Sequence, residues 1–269
     1  MPHPRPLSLV TGASAGIGAA FASALAARGH DLVLTARRAD RLEALATGLR
    51  QRHGGSVVVM PADLADPATP QKLCETLADR GLAVDWLINN AGYGVPGHFV
   101  ANDWRTHADS LQVLLNAPTE LAWRLLPGMR QRGHGRIVNV ASLAGHVPGT
   151  AGHTLYAAAK AYLIKFSQSL ALENRDRHVH VCALCPGFTR SEFHDVTGTR
   201  ELMDGLPGFM WQQAEEVVEQ GIAAVERGDA VYVTGRVNRA IKTAFKLIPD
   251  RWAYRLSARQ ARRYRQYDQ

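Results

Sequence analysis

The chain has 269 residues, of which 46% are hydrophobic and 20% are charged, as in an ordinary globular protein. This length suits one large α/β domain or two small ones. No run approaches the ~20 consecutive apolar residues that a membrane span requires, which excludes an integral helical membrane protein. Because the N-terminus leads directly into an apolar strand and a glycine-rich loop, we expect no signal peptide.

The formal net charge of +7 is concentrated at the C-terminus. Residues 236–269 contain ten Lys or Arg and two acidic residues, whereas the remainder has 21 basic residues against 22 acidic ones. A nearly neutral domain with a basic tail differs from a uniformly basic nucleic-acid-binding protein. We therefore expect no nucleic-acid partner.

Apolar runs alternate along the chain with segments of helical periodicity, which predicts βαβ units and a parallel sheet. The predicted strands are residues 7–11, 31–36, 57–62, 84–89, 136–141, 179–185 and 230–234. The predicted helices are residues 17–28, 40–52, 68–80, 103–132 (with a break near Pro118), 154–175 and 215–227. We predict one α/β domain over residues 1–235, a doubly wound parallel seven-stranded sheet with helices on both faces, and an extension at 236–269.

A glycine-rich loop, Thr-Gly-Ala-Ser-Ala-Gly-Ile-Gly at residues 11–18, lies between the first strand and the first helix. Glycines allow the backbone to approach a pyrophosphate, and the helix N-terminus offers free N–H groups and a positive dipole end. The loop predicts a dinucleotide site, although a glycine-rich turn also occurs without a ligand. The residues expected to contact the cofactor here are Gly12, Ser14, Ala15, Gly16, Ile17 and Gly18.

The end of the second strand indicates which nicotinamide cofactor binds. An acidic residue there would bind the ribose 2′-hydroxyl of NAD, whereas arginine favours the 2′-phosphate of NADP. The chain has Arg37 and Arg38 and no acid before Asp40, so we predict NADP, with Ser14 assisting. The alternative is a solvated arginine pair at the start of a helix.

Two later strand ends complete the predicted cofactor site. Asp63, which is followed by Leu64, is placed to accept a hydrogen bond from the adenine amino group, unless it serves only as a helix cap or loop residue. Small residues after the fourth strand would let the cofactor lie across the sheet. These residues are Asn90, Ala91 and Gly92.

Tyr156 and Lys160 lie four residues apart in an apolar segment rich in small residues, which places them on one face of a helix. An ammonium beside a phenol favours the phenolate and lowers the pKa of the tyrosine from its reference value of ~10. Such a phenol can exchange a proton with an alcohol or ketone oxygen. The alternative is an incidental pair on a surface helix.

Taken together, these motifs resemble those of the short-chain dehydrogenase/reductases. The matching residues are the loop at 11–18, Asp63, the Asn-Asn-Ala-Gly sequence at 89–92, Asn116, Ser142, Tyr156, Lys160, Pro186 and Gly187. Covering about residues 6–235, the resemblance implies a Rossmann-type fold and a homodimer or homotetramer. It also implies an oxidoreductase that uses NADPH or NADP to interconvert a ketone and a secondary alcohol.

The resemblance implies a role for each catalytic candidate. Tyr156 would act as the general acid in reduction, and Lys160 would lower its pKa and bind the nicotinamide ribose. Ser142 would hold the substrate oxygen, and Asn116 would support a water relay from Lys160 to solvent.

The chain departs from the family pattern at two places. Thirteen residues separate the catalytic serine from the tyrosine, one more than is usual. After Pro186 and Gly187, Ser191 stands where the family often has threonine. Thr189 is a second candidate for contacting the carboxamide of the cofactor.

The irregular segment 188–211 carries many large apolar side chains and corresponds to the mobile lid of the family. It predicts a pocket for a hydrophobic carbonyl compound, such as a fatty acyl, steroid-like or aromatic ketone. The alternative is that these side chains pack on the sheet or on a partner subunit. The residues expected to line the pocket are Tyr93, His146, His153, Phe188, Phe193 and Met203.

The basic extension is typical of two short amphipathic helices. They can lie on an anionic membrane surface or cover the protein's own core, and we favour the second interpretation. The three cysteines, an odd number, favour a reducing compartment, and we expect the cytoplasm. Cys182 and Cys185 are expected to be buried hydrophobic residues and not metal ligands, so we expect no metal.

Two other function classes remain open. A nucleotide-binding regulator that keeps the fold without the chemistry would be expected to lack the tyrosine or the lysine, and this chain has both. A peripheral membrane protein would depend on the basic tail.

Overall fold

The computed structural model describes residues 5–149, 151–152, 154–190 and 207–261. Its strands are β1 (Leu7–Thr11), β2 (Asp31–Thr35), β3 (Val57–Val59), β4 (Trp86–Asn89), β5 (Gly135–Val140), β6 (Val179–Cys185), β7 (Phe188–Arg190), β8 (Trp211–Gln213) and β9 (Val231–Val233). Its α-helices are α1 (Gly16–Ala27), α2 (Ala39–His53), α3 (Thr69–Asp79), α4 (Trp104–Leu111), α5 (Ala117–Arg132), α6 (Thr154–Glu173), α7 (Ala214–Arg227), α8 (Arg236–Leu247) and α9 (Asp250–Ala261).

Seven strands form one parallel sheet in the order β3-β2-β1-β4-β5-β6-β9, which confirms the predicted fold class. The chain order reverses between β1 and β4, so the connections on the two sides of this point run in opposite directions. Such a reversal opens a crevice at the carboxyl ends of the strands, where ligands bind in open α/β sheets. Strands β7 and β8 pair separately, beside this end of the sheet.

Both faces of the sheet are covered because successive strand residues point to opposite sides. Val10 packs on one face in a core that includes Phe21 of α1, and Leu9 packs on the other face in a core that includes Leu121 of α5. These four side chains have no exposed surface.

The same alternation separates the two cysteines of β6. Cys182 and Cys185 are both fully buried, but they belong to cores on opposite faces of the sheet. The pair therefore cannot bind one metal ion together, and each cysteine packs as a small hydrophobic side chain.

The predicted element boundaries agree with the structure to within about two residues, except at β3 and in the long helix. Strand β3 ends at Val59, three residues before the predicted end. The helix expected over residues 103–132 consists of α4, a π-helical turn at Gln112–Asn116, and α5. Pro118 has no N–H group to donate to Leu114, so regular α-helical hydrogen bonding cannot pass through this turn. The irregularity therefore precedes the proline.

The C-terminal extension contacts the domain. Asn238 of α8 is 3% exposed, Ile241 and Phe245 are half-buried, and the helix lies against the turn at Leu143–His146. The amphipathic pattern of α8 thus has a packing explanation, whereas Trp252 and Tyr254 of α9 remain exposed. None of the helices within the described part of the chain is both long and apolar enough to cross a bilayer.

Candidate active site

The glycine-rich loop is fixed against the end of β4. Gly12 and Gly16 have φ values of +65° and +54°, in the region that favours glycine. The side-chain amide of Asn90 donates to the carbonyl oxygens of Thr11 (3.0 Å) and Gly12 (3.2 Å). A Cβ atom on Gly18 would lie 2.3 Å from the carbonyl oxygen of Gly12, so α1 approaches the loop as closely as a glycine allows.

The start of α1 suits an anion. Ala15 precedes the helix in an extended conformation, and no side chain of the described residues caps the first turn. Within this part of the chain the first N–H groups of the helix therefore lack a side-chain acceptor, and the positive end of the helix dipole lies at the same point. A pyrophosphate fits this donor set.

The backbone after β4 brings the predicted cofactor residues beside the predicted catalytic lysine. The hydroxyl of Thr11 accepts hydrogen bonds from the N–H groups of Asn90 (2.9 Å) and Ala91 (3.0 Å). A Cβ atom on Gly92 would lie 2.9 Å from Leu114 and 3.7 Å from the Nζ of Lys160. The crevice that begins at the glycine loop therefore continues past Gly92 to Lys160.

The end of β2 carries a guanidinium beside the glycine loop. Arg38 directs its Nε and Nη2 atoms to the hydroxyl of Ser14, at 3.3 and 3.0 Å, and Arg37 is exposed. These donors fit a phosphate at this point. Asp63 is exposed, its carboxylate accepts from the N–H of Ala65 (3.0 Å), and Leu64 is 7% exposed in the core beside α3 and α5.

Ser142 and Tyr156 meet at the end of β5. The Ser142 hydroxyl accepts from the N–H of Ala144 (3.1 Å) and forms a hydrogen bond with the Tyr156 side chain. A Cβ atom on Gly145 would lie 2.7 Å from the carbonyl carbon of Lys160, so the turn after Ser142 packs directly on the backbone of α6. The extra residue between the serine and the tyrosine does not separate the two side chains.

Lys160 is 5% exposed, and its Nζ donates to the carbonyl oxygen of Val140 at 2.6 Å. The Nζ lies 5.5 Å from the centroid of the Tyr156 ring. Burial lowers the pKa of Lys160 to about 8 and raises the pKa of Tyr156 to about 12, although the bond with Ser142 favours the phenolate. The expected lowering of the Tyr156 pKa is therefore not found in this arrangement, because burial is the larger effect.

Asn116 lies at the end of the π-helical turn. It is exposed, and its side-chain amide donates to Oε1 of Gln112 at 2.9 Å. π-Helical turns frequently occur at functional sites because they shift the side chains that follow. The sequence signal for this turn is Pro118, two residues further on.

The backbone after β6 packs against α8. Thr189 is buried and donates to the carbonyl oxygen of Gly187 (3.2 Å), and the carbonyl of Pro186 accepts from the N–H of Leu143 (2.8 Å). A Cβ atom on Gly187 would lie 2.4 Å from the side-chain amide of Asn238. Asn238 is not among the residues predicted for the site, because only the fold brings α8 to this turn.

A small cleft opens beside Tyr156. Its lining consists of Val95, Gly97, Phe99, His107, Ser110, Thr154, Leu155 and Tyr156. His107 and Ser110 are absent from the predicted site, and the sequence signal that was available is their separation by one helical turn in the predicted helix.

Three of the predicted pocket residues are not part of the lining of this cleft. Tyr93 packs on the core beside α3 and α5, and the ring of Phe188 lies 5.8 Å from that of Trp211. His146 is half-buried, and burial together with the nearby Lys242 lowers its pKa to about 4. The predicted residues His153, Ser191, Phe193 and Met203 lie outside the described residues.

Known proteins are similar to this chain in sequence and in fold. The sequence profile of the short chain dehydrogenase family matches residues 7–201. Nodulation protein G of Rhizobium sp. (strain N33) is 37% identical over 235 residues, which cover 85% of this chain and 92% of that protein.

Two solved structures are similar over nearly their whole length. The short-chain dehydrogenase from Sphingobium yanoikuyae in complex with NADPH is 34% identical, with a TM-score of 0.79 and coverage of 95% of this chain and 93% of that chain. The bulky-bulky ketone specific alcohol dehydrogenase from Comamonas testosteroni is 32% identical, with a TM-score of 0.74 and coverage of 95% and 92%.

The sheet with its glycine loop, and the serine, tyrosine and lysine beside one crevice, define a Rossmann-type oxidoreductase. The chain belongs to the short-chain dehydrogenase/reductase family.

Proposed function

We propose that the protein reduces a hydrophobic ketone to its secondary alcohol with NADPH, and that Tyr156 is the proton donor. The observation that carries this proposal is the hydrogen bond between Tyr156 and Ser142 in the crevice that also holds Lys160 and Gly92. A substrate oxygen that reaches this point can bind both hydroxyl groups at once.

In the proposed reaction, Ser142 and Tyr156 donate hydrogen bonds to the ketone oxygen, where negative charge develops. NADPH supplies the hydride when it is bound. Tyr156 transfers its proton to the oxygen, and the resulting phenolate lies near the Lys160 ammonium, which limits the cost of the charge. With a pKa of about 8, Lys160 is mainly protonated at pH 7.

A proton must then return to Tyr156 from solvent. The Nζ of Lys160 lies 5.5 Å from the centroid of the Tyr156 ring, and Asn116 is exposed at the end of the π-helical turn. We propose that Asn116 supports a water relay between Lys160 and solvent. The protein's part in the reaction is therefore to position the oxygen and to move one proton.

The cofactor preference is proposed from the end of β2. Arg38 beside Ser14, with the exposed Arg37, provides charge-assisted donors for a 2′-phosphate. Gly12 and the start of α1 would hold the pyrophosphate, and Asp63 would contact the adenine. The NADPH complex of the Sphingobium enzyme supports this assignment.

The substrate class is proposed from the cleft. Val95, Phe99 and Leu155 give it apolar walls next to Tyr156, which suits an aromatic or other hydrophobic ketone. The similarity to a bulky-bulky ketone specific alcohol dehydrogenase supports the same class.

The test is to follow the loss of NADPH absorbance with a panel of aromatic and aliphatic ketones. We expect Tyr156→Phe to lower kcat by ~10²–10⁴-fold, because a positioned proton donor is lost. Tyr162→Phe is the matched control: this tyrosine lies on the same helix, is 41% exposed, and contacts Thr119 at 3.0 Å. Binding of NADPH without turnover of any ketone would instead favour a regulator.

The same assay, run with NADPH and with NADH, tests the proposed preference for NADPH. Arg38→Ala should reduce the ratio of kcat/KM with NADPH to that with NADH by ~10-fold or more, since a charge-assisted contact is worth ~1.5–3 kcal/mol. The control is Arg52→Ala: this exposed arginine of α2 donates, among the described residues, only to the carbonyl oxygen of Gly48. A wild type that prefers NADH would contradict the assignment.

A further inference from the structure

Two buried polar side chains of α4 face the cleft beside Tyr156. His107 and Ser110 are 5% and 2% exposed and lie one helical turn apart, and both belong to the lining of the cleft. Neither has a role in the proton transfer proposed above.

The hydrogen bonding of His107 determines which ring nitrogen carries the proton. Its Nε2 lies 2.8 Å from the carbonyl oxygen of Phe99, and a carbonyl can only accept, so Nε2 carries the hydrogen. In the neutral ring Nδ1 is then an acceptor. This buried Nδ1 has no hydrogen-bond partner among the described residues.

Ser110 is the second polar group of this lining. Its hydroxyl makes no hydrogen bond with any residue in the described part of the chain. Buried polar atoms are nearly always hydrogen-bonded, so the unpartnered Nδ1 of His107 needs an explanation. Several buried polar atoms in the described part of the chain have no hydrogen-bond partner. Among the residues that carry them, only His107 lines this cleft.

We propose that His107 and Ser110 form a subsite for a hydroxyl group of the substrate. A ligand hydroxyl can donate to Nδ1 of His107 and accept from the O–H of Ser110, which satisfies both groups. A carboxylate would place negative charge beside the lone pair of Nδ1, and a lone carbonyl would leave Nδ1 unsatisfied. Val95, Phe99 and Leu155 supply the apolar surroundings in which such a bond discriminates strongly.

The substrate class is therefore a hydrophobic ketone that carries a separate hydroxyl group. This inference rests on the proposed function, because it takes Tyr156 as the point where the ketone oxygen binds.

The test compares ketones that differ by one hydroxyl: benzoin with deoxybenzoin, and 4-hydroxybenzophenone with benzophenone. In at least one pair, the wild type should show a kcat/KM about tenfold or more higher for the hydroxylated ketone. Ser110→Ala should reduce this preference to within about threefold of unity. Ser110→Thr keeps a hydroxyl and should keep the preference.

Two histidine variants separate the subsite from the contact with Phe99. The amide of His107→Gln can reach the position of Nε2 but leaves that of Nδ1 without an acceptor, so the hydroxyl preference should be lost. His107→Asn places an acceptor near Nδ1 and should keep part of it. The control is Ser167→Ala, which removes a fully buried serine that bonds Leu163 and Asn139 away from the cleft. It should lower the melting temperature without changing the preference.

A binding measurement distinguishes failure of the subsite from failure of the proposed function. The Tyr156→Phe variant saturated with NADPH is titrated with both pairs by fluorescence, which gives affinity ratios without turnover. A hydroxyl preference in binding, with no reduction of any ketone by the wild type, would support the subsite and reject the reaction. Equal affinities and equal kcat/KM values in both pairs, or a preference unchanged by Ser110→Ala, would mean that only water bonds these groups and would overturn the subsite.

Discussion

The crevice at the glycine loop and the cleft beside Tyr156 are adjacent, but they are built differently. The crevice is formed by backbone and by glycines, and Gly12 and Gly18 approach each other as closely as their atoms allow. The cleft is formed by side chains from a loop and two helices, and one of them, His107, has a buried nitrogen without a partner among the described residues. The backbone of the first region leaves little space for substitutions. In the second region, substitution of the lining side chains would change which ligand binds.

The largest effect should come from adding one methyl group to the crevice. Gly18→Ala would place Cβ against the backbone of Gly12 and the amide of Asn90, neither of which can move without breaking the loop. We expect a loss of ~3 kcal/mol in the free energy of unfolding, measured in urea, and a large loss of NADPH affinity.

The control for this change is Gly48→Ala in the middle of α2. A Cβ atom there would meet only the end of the Arg52 side chain, at 3.5 Å. Alanine is the better helix former, so this variant should be more stable by ~0.5–1 kcal/mol. Equal responses of the two glycines would contradict the crevice's close packing.

A smaller effect, of opposite sign, is expected at the candidate active site of the protein without cofactor. The pKa of Lys160 is lowered to about 8 by burial, so the folded state releases its proton at a lower pH than the unfolded chain does. Lys160→Met should therefore be more stable than wild type by ~1–3 kcal/mol at pH 7, and inactive.

The difference in the free energy of unfolding between Lys160→Met and the wild type should decrease as the pH rises. Between pH 8 and about 10, the unfolded wild type holds a proton that the folded state has lost, so wild-type stability rises relative to the variant. The difference in the free energy of unfolding between the two proteins should shrink over this range in urea titrations. A difference that stays constant with pH would show that Lys160 is not a buried cation.

The smallest effect concerns the contact between α8 and the turn after β6. Asn238 donates to the carbonyl oxygen of Thr234 at 2.8 Å, and Asn174 donates in the same way to that of Leu170 at 2.7 Å. Alanine at either position should cost ~1 kcal/mol of stability. Only Asn238→Ala should raise the KM for NADPH, by ~2–10-fold, because Gly187 packs on this side chain. Equal KM values for the two variants would show that α8 has no influence on the crevice.

Much of the crevice was predictable because it depends on local chemistry. Three local features indicate the conformation of the backbone and the ligand that it can bind. They are a glycine loop between a strand and a helix, a pair of arginines after β2, and small residues after β4. The seven strands were predictable for a similar reason, since apolar runs such as Val57–Val59 and Val179–Cys185 can only be buried on both sides.

The pKa values and the cleft could not be read from the chain in the same way. The spacing of Tyr156 and Lys160 predicts their shared face, but the depth of burial that raises one pKa and lowers the other depends on distant packing. His107 and Ser110 look like ordinary polar helix residues until the loop carrying Phe99 covers them.

The sequence by itself determined the sheet, the glycine-rich loop and the candidates for the reactive side chains, because periodicity, glycine placement and residue chemistry act over a few residues. Only the tertiary structure decided which polar groups are buried without partners and which helix supports Gly187. Burial and close contact depend on segments far apart in the chain, which the sheet brings together at its carboxyl edge.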